Sequence, residues 1–315
     1  MQSKEPIQLD DRIYLIDGFD LGVADRTGSY IIMEEELTII ETGPSPSVKH
    51  IKNGLDALGL SLDQVKYIIV THIHLDHAGG TGLLLQQCPN AKVVVHPKGE
   101  RHLINPRKLA AGARAIYGDS FSELFEPIIP VPEDRLLVKG EGDTLRVGST
   151  CTLEFLDTPG HARHHFSIYD PISNGMFTGD TVGVRYEHLI REGIDLFLPS
   201  TSPNHFDPNA MHDSIKRMLD KHLDRIYYGH FGMTKKTTKA LIQVAEWLDI
   251  FVEEGEQVVA EGKGYDELST RLLNRVKAYL HDFGVSDDHD VYILINLDMQ
   301  VCALGIIDYF QKIKQ

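Results

Sequence analysis

The sequence predicts an α/β protein in which two β-sheets pack face to face between helical layers, followed by a helical extension. Three observations carry this reading. Two stretches of the chain each run as strands and then helices. Residues of metal-binding type stand where several of those strands stop. From about residue 235 the apolar residues recur at helical spacing, with the character of helix rather than strand.

In chain order, "RIYLID", "SYIIME" and "LTIIET" read as short strands, the last ending in the turn-rich "GPSPS". "SVKHIKNGLDALGL" has helical spacing, and "VKYIIV" is a short buried strand that feeds a histidine cluster. A helix over "GTGLLLQQ", a strand over "KVVVHP" and a polar helical stretch near 98–125 follow, and Pro127, Pro130 and Pro132 then make the chain irregular. A second set begins with strands at "LLVKG", "DTLRVG" and "CTLEFLDTPG" and continues through "HFSIYD" and "GMFTGDT". "NAMHDSIKRMLD" reads as a helix and "RIYYGH" as a strand ending on His230. In the tail, Ala240, Leu241, Val244, Trp247, Leu248, Phe251 and Val252 form one apolar stripe, and Leu268, Leu272, Leu273, Val276 and Leu280 form another.

Composition narrows the function classes. A chain of 315 residues, 42% hydrophobic with scattered charge, is globular. Its formal charge of −15 argues against a broad binding surface for nucleic acid or anionic lipid. The polar N-terminus lacks the apolar core of a signal peptide, and no uninterrupted apolar run approaches the ~18 residues of a membrane span, so the expected location is the cytoplasm, without a membrane partner. Cys88, Cys151 and Cys302 are widely spaced and read as buried thiols.

The chemistry is concentrated in "THIHLDHAGG". If "YIIV" is a strand, His72 and His74, two residues apart in extended chain, present their imidazoles on the same side and can grip one ion. Asp76 and His77 come as the chain turns toward the next helix, where their side chains can reach a second ion. One cluster cannot close two coordination shells. His161 after "TPG", Asp180 in "FTGDT" and His230 in "YYGH" each follow a strand and a tight turn. Singly, each is more often a turn histidine, a cap or a solvated carboxylate. As an ordered set at strand termini they point to metal binding.

This ordered set, "THIHLDH", "TPGH", "FTGDT" and "GH", resembles the metallo-β-lactamase superfamily over residues about 10 to 235. The resemblance implies an αββα sandwich with a metal site at the edge of its two sheets, a metal-hydrolase domain over 1–235 and a mainly helical extension over 236–315. It also implies that His72, His74 and His161 bind one metal, that Asp76, His77 and His230 bind the other, and that Asp180 bridges them. Two divalent cations sharing a water lower its pKa toward ~7 and supply a bridging hydroxide as nucleophile at neutral pH. Asp76 and Asp180 are the candidate proton-handling residues. Zn, Fe and Mn all suit a His and carboxylate set, with Zn the first expectation.

The expected activity is hydrolysis of a small-molecule thioester, ester or phosphodiester, and the tail makes the chain similar to glyoxalase II. Lys235, Lys236 and Lys239 are the basic residues considered for glutathione. A lactonase, a mononuclear iron persulfide dioxygenase and a non-catalytic metal-dependent sensor are the alternatives, because the fold does not choose among them. His164, His165, Tyr186, His188 and His205 are candidates to line the pocket. His96 reads as structural and "SDDHD" as a solvated acidic loop. The amphipathic tail is compatible with a homodimer.

Overall fold

Parallel strands covered on both faces read as unbroken β-branched runs, and "VKYII" and "KVVV" take that role in the first of two large sheets. The computed structural model describes residues 4–314. Seven strands lie side by side in chain order: β1 (Ile7–Gln8), β2 (Ile13–Asp17), β3 (Gly28–Ile32), β4 (Leu37–Ile40), β5 (Val65–Ile69), β6 (Lys92–Val95) and β7 (Leu136–Val138). The first four pair antiparallel, and β4 through β7 run parallel. The parallel crossovers carry the helices α1 (Val48–Ala57), α2 (Leu75–Ala78), α3 (Thr81–Leu85), α4 (Glu100–Ile104), α5 (Arg107–Tyr117) and α6 (Phe121–Phe125).

Alternation along these strands divides the core in two. Ile39, Ile68, Val93 and Val95 join Val48, Ile51 and Leu55 of α1 on one face. Ile40, Ile69 and Val94 point the other way and meet Leu153, Phe155, Phe166, Ile168 and Phe177. Those residues belong to the second sheet, built from β8 (Thr144–Arg146), β9 (Thr152–Asp157), β10 (Phe166–Asp170), β11 (Gly175–Phe177), β14 (Arg225–Tyr227) and β15 (Met233–Thr234). Each fully buried Ile or Phe here stabilises the fold by about 1.5–3 kcal/mol, so the sandwich core can offset strained loops at its edge.

One strand departs from the sequence reading. "LLVKG" was expected to open the second set, yet β7 pairs with β6, Val93 opposite Leu136 and Val94 opposite Leu137, at the edge of the first sheet. A short apolar run specifies a strand but not its neighbour, and here the helical segment after β6 returns the chain to the same sheet.

The described residues form two compact units. The first contains the chain through Asp157, then His164–Gly179 and Leu223–Lys235, and therefore both large sheets. The second contains Thr158–Arg163, Asp180–His222 and the chain from Lys236 onward. It holds a small ribbon of β12 (Val184–Arg185) and β13 (Phe197–Leu198), with helices α7 (Glu187–Arg191), α8 (Pro208–Asp220), α9 (Thr237–Ala260), α10 (Tyr265–His281) and α11 (Val291–Ile313). Asp207 caps α8 by accepting the Ala210 N–H, ahead of a proline in the first turn. The two predicted stripes are buried along α9 and α10 apart from half-buried Val252 and Leu273. Among the described residues α11 is the one helix long and apolar enough to cross a membrane, and 61% of its apolar window is buried inside the protein.

Candidate metal centre

The histidine cluster begins three residues past the end of β5, at His72. Thr71 Oγ1 lies 3.0 Å from His72 Nδ1, which leaves His72 Nε2 toward His74, whose Nδ1 is 3.0 Å away. The chain then enters the short helix α2, and its first turn carries Asp76 and His77. His77 is buried, with Nε2 3.5 Å from Asp76 Oδ2; His230 Nε2 stands 3.7 Å from the same oxygen. Donor atoms of Asp76, His77 and His230 all lie within 4.8 Å of one another.

Glu41 fixes the orientation of His77, and sequence reasoning missed it. It follows β4, buried, in the left-handed region at φ 67°. Its Oε1 accepts the Thr71 N–H at 2.7 Å and its Oε2 meets His77 Nδ1 at 2.8 Å. A carboxylate only accepts, so Nδ1 carries the proton and Nε2 keeps its lone pair for the site. The left-handed conformation costs about 1–2 kcal/mol. Two hydrogen bonds to a buried charge, about 1.5–3 kcal/mol each, outweigh it. Nothing in the sequence marked it; the parallel pairing puts Ile40 opposite Ile69, and so residue 41 beside the start of the cluster.

His230 is held by a tight turn. Phe231 and Gly232 both have positive φ, 60° and 86°, and the Tyr228 N–H closes the turn on the Gly232 carbonyl. The Tyr30 hydroxyl, from β3, sits 2.6 Å from the Tyr228 carbonyl and 2.7 Å from that of Gly232, pinning both sides. Nearby, Phe19, Leu21 and Asp25 also have positive φ, a strained loop whose Asp17 accepts the N–H groups of Phe19 and Asp25. That loop buries Asp20. Burial pushes its carboxyl up, Arg26 at 3.2 Å opposes this, and Asp76, His230 and His77 are close enough to act on it.

In the second unit, His161 and Asp180 come together. His161 Nε2 is 3.6 Å from Asp180 Oδ2, and both residues are buried. His161 Nδ1 donates to the Ser200 carbonyl at 2.9 Å, which again leaves Nε2 for the site. The Ser200 hydroxyl donates to Asp180 Oδ2 at 3.0 Å, and Ser202 Oγ is 3.4 Å from His161 Nε2. Gly160, before His161, has φ 133°, and a Cβ there would lie 2.4 Å from Met211 Cα of α8. Only glycine fits this turn.

The remaining candidates divide. His164 and His165 are buried beside the cluster, with ring centroids 5.4 Å from His74 and 5.1 Å from His72 respectively. Tyr186 is buried and donates to Asp298 at 2.8 Å. His188 is half-buried in a cleft with Glu192 and His289, and His205 is half-buried in its loop. His96 is buried with Nε2 3.2 Å from Asp157. Within "SDDHD", Asp287 is paired with Lys277 and His281, and His289 with Glu192. Lys236 and Lys239 both engage Asp195, at 2.7 and 2.9 Å, while Lys235 is exposed.

The donor chemistry fits a divalent cation. Tetrahedral bonds of about 2.0–2.2 Å to His nitrogen and carboxylate oxygen separate the donors by about 3.3–3.6 Å. Asp76 stands 3.5 and 3.7 Å from His77 and His230, and the Glu41 to His77 hydrogen bond supplies the outer support such ligands require.

Comparison with known proteins identifies the family. The sequence model of the Metallo-beta-lactamase superfamily matches residues 25–230. The metallo-beta-lactamase fold-containing protein ST1585 of Sulfurisphaera tokodaii is 27% identical over 208 residues, 65% of this chain and 72% of its own. Its crystal structure superposes with a TM-score of 0.67 over 95% of this chain and 98% of that one, at 22% identity. A metallo-beta-lactamase family protein, TTHA1429 from Thermus thermophilus, gives 0.68 over 98% and 95%, at 20% identity. The hydroxyacylglutathione hydrolase of Legionella pneumophila is 28% identical over 118 residues, 38% of this chain and 34% of its own, which is weak support for a glyoxalase II-like protein. With a family match spanning most of the chain, and a His-rich cluster of ligand type at the ends of its strands, the chain belongs to the metallo-β-lactamase superfamily.

Proposed function

We propose that this protein is a dinuclear metal-dependent hydrolase of a small-molecule thioester, ester or phosphodiester. The observation that carries the proposal is the Asp76, His77 and His230 group, whose donors are spaced for a cation and whose central histidine is locked by Glu41. In this reading His72, His74 and His161 serve one cation, the Asp76 group serves the other, and Asp180 serves both, the assignment that motif order implies. The cations would supply Lewis acidity and a water acidic enough to attack near neutral pH.

The chain's own residues prepare that chemistry. Glu41 and the Ser200 carbonyl hold protons on the Nδ1 atoms of His77 and His161, so that each Nε2 stays unprotonated. Asp76 has a side chain 28% exposed, whereas those of His77 and His230 are 1% and 7% exposed. It is therefore the member of the group placed to pass a proton between an attacking water and solvent. With Lys236 and Lys239 occupied by Asp195, glutathione recognition draws no support from them, and a thioester stands level with the other acyl or phosphoryl substrates.

The test is metal analysis of protein purified without added metal, paired with a panel of thioester, lactone, phosphodiester and persulfide substrates. Two equivalents of metal with chelator-sensitive hydrolysis are expected. One equivalent of iron with oxygen consumption on the persulfide would replace this proposal with the dioxygenase.

A further inference from the structure

We infer that the C-terminal helix α11 is a positioning element of the metal centre, acting on His161 and Asp180 through the segment 199–204. The inference rests on the reading of His161 and Asp180 as cation ligands. It gives the helical tail a role beyond covering a core.

The contacts lie along one face of α11. Cys302 Sγ donates to the Pro199 carbonyl at 3.4 Å, and Thr201 Oγ1 donates to the Cys302 carbonyl at 2.9 Å. One turn on, a Cβ at Gly305 would lie 2.5 Å from the Thr201 carbonyl oxygen, so the helix backbone lies directly against this segment. Further along, Asp308 accepts the Asn204 N–H at 3.1 Å, and Lys312 donates to the Asn204 carbonyl at 2.8 Å. Positions 302, 305, 308 and 312 share a face at helical spacing. Glycine inside a helix costs about 0.5–1 kcal/mol relative to alanine, and close backbone approach accounts for its presence at 305.

Segment 199–204 passes this constraint to the ligand side chains. Ser200 uses its carbonyl for His161 Nδ1 and its hydroxyl for Asp180, and Ser202 sits beside His161 Nε2. Thr201, between them, bonds the helix instead. Residues 200 and 202 therefore serve the ligands while 201 anchors them, the division expected of extended chain. Asp180 is also close enough to contribute to the raised thiol of Cys302, which burial first pushes up to about 12. A shift of α11 against this segment must move the group that sets the tautomer of His161 and the hydroxyl that orients Asp180.

The experiment uses the full chain with Zn2+ alone, and Co2+ as a spectroscopic probe, in competition with a chelator. Gly305→Ala forces the segment away from the helix, and Thr201→Val removes its hydroxyl anchor. Thr201→Ser restores that anchor, and Ile293→Ala alters an exposed position on the same helix. We expect Gly305→Ala and Thr201→Val to weaken one cation equivalent tenfold or more, in the range of lost supporting contacts around metal ligands. Thr201→Ser should return to the wild-type affinity and Co2+ spectrum, and Ile293→Ala should not depart from them. If Gly305→Ala does not fold, the Thr201 pair decides. Folded variants that bind every equivalent with wild-type affinity, whatever their melting temperature, overturn the inference alone. Wild-type protein that takes up no cation overturns the ligand assignment and the inference with it.

Discussion

Replacing Glu41 by Gln tests the support of the Asp76, His77 and His230 group with minimal change of shape. The carboxylate accepts two hydrogen bonds, from the Thr71 N–H at 2.7 Å and from His77 Nδ1 at 2.8 Å. An amide has one acceptor oxygen and one donor nitrogen, so it cannot serve both. If its oxygen stays on Thr71, the amide nitrogen faces Nδ1, and the proton of His77 moves to Nε2, the atom facing Asp76. If its oxygen serves His77, two N–H donors confront each other at the Thr71 contact, in a site where Glu41 is 2% exposed. The first arrangement spoils a proposed ligand; the second strands a buried donor at about 1–3 kcal/mol.

Glu41→Gln should accordingly lower the affinity for one cation by about 10–100-fold, or about 1.4–2.7 kcal/mol. Where the second arrangement prevails, the loss appears in stability of the metal-free protein instead. Chelator competition with Zn2+ measures the first quantity, and urea unfolding of metal-free protein measures the second. A Glu41→Gln protein with unchanged cation affinity and unchanged unfolding free energy would refute the argument, since both arrangements forbid that result.

Tyr30→Phe removes the hydroxyl that pins the His230 turn and should cost about 1–2 kcal/mol, with weaker cation binding, read from melts with and without Zn2+; an unchanged Zn2+-induced shift would show that the turn holds without it. Gly160→Ala places a Cβ 2.4 Å from Met211 Cα at φ 133°, and should destabilise by at least about 2 kcal/mol in urea unfolding; a smaller loss would mean that the turn can adjust. Burial pushes the Cys88 thiol up to about 12 from an ordinary value of 9.0. Above pH 9 the unfolded thiol ionises while the folded one stays protonated, so the unfolded state binds fewer protons and stability falls as pH rises toward 12. Cys88→Ala should make that decline shallower by about 1.4 kcal/mol per pH unit in urea unfolding between pH 9 and 11, and an unaltered slope would rule this thiol out as a contributor.

Most of the fold was legible because its strands are short apolar runs bounded by turns, and because the tail repeats its apolar residues at helical spacing. Pairing was less legible. β7 reads the same whichever sheet it joins, and only its hydrogen bonds to β6 place it. The ribbon of β12 and β13 has two residues per strand, too few to show a period. In the site, His161, Asp180 and His230 stood out in the sequence because each follows a strand and a tight turn, and His72, His74, Asp76 and His77 because they crowd into one short motif. Tyr30 could not be singled out, since a tyrosine in a buried strand looks like any core aromatic until its hydroxyl is found on the His230 turn.

What sequence conceals here follows from what a metal-binding histidine needs. One ring nitrogen serves the ion, and the other must find a fixed partner. In the proposed assignment that partner is the Glu41 side chain for His77, the Thr71 hydroxyl for His72 and the backbone carbonyl of Ser200 for His161. A carbonyl belongs to every residue, so the third kind of support leaves no mark in the sequence, and substitution leaves the group itself in place. Ser200→Ala should therefore preserve the tautomer of His161 while removing the hydroxyl from Asp180, and its effect reports on Asp180 alone. The carbonyl contact responds only to displacement of the backbone, and in the second unit the α11 face at Gly305 is placed to cause it.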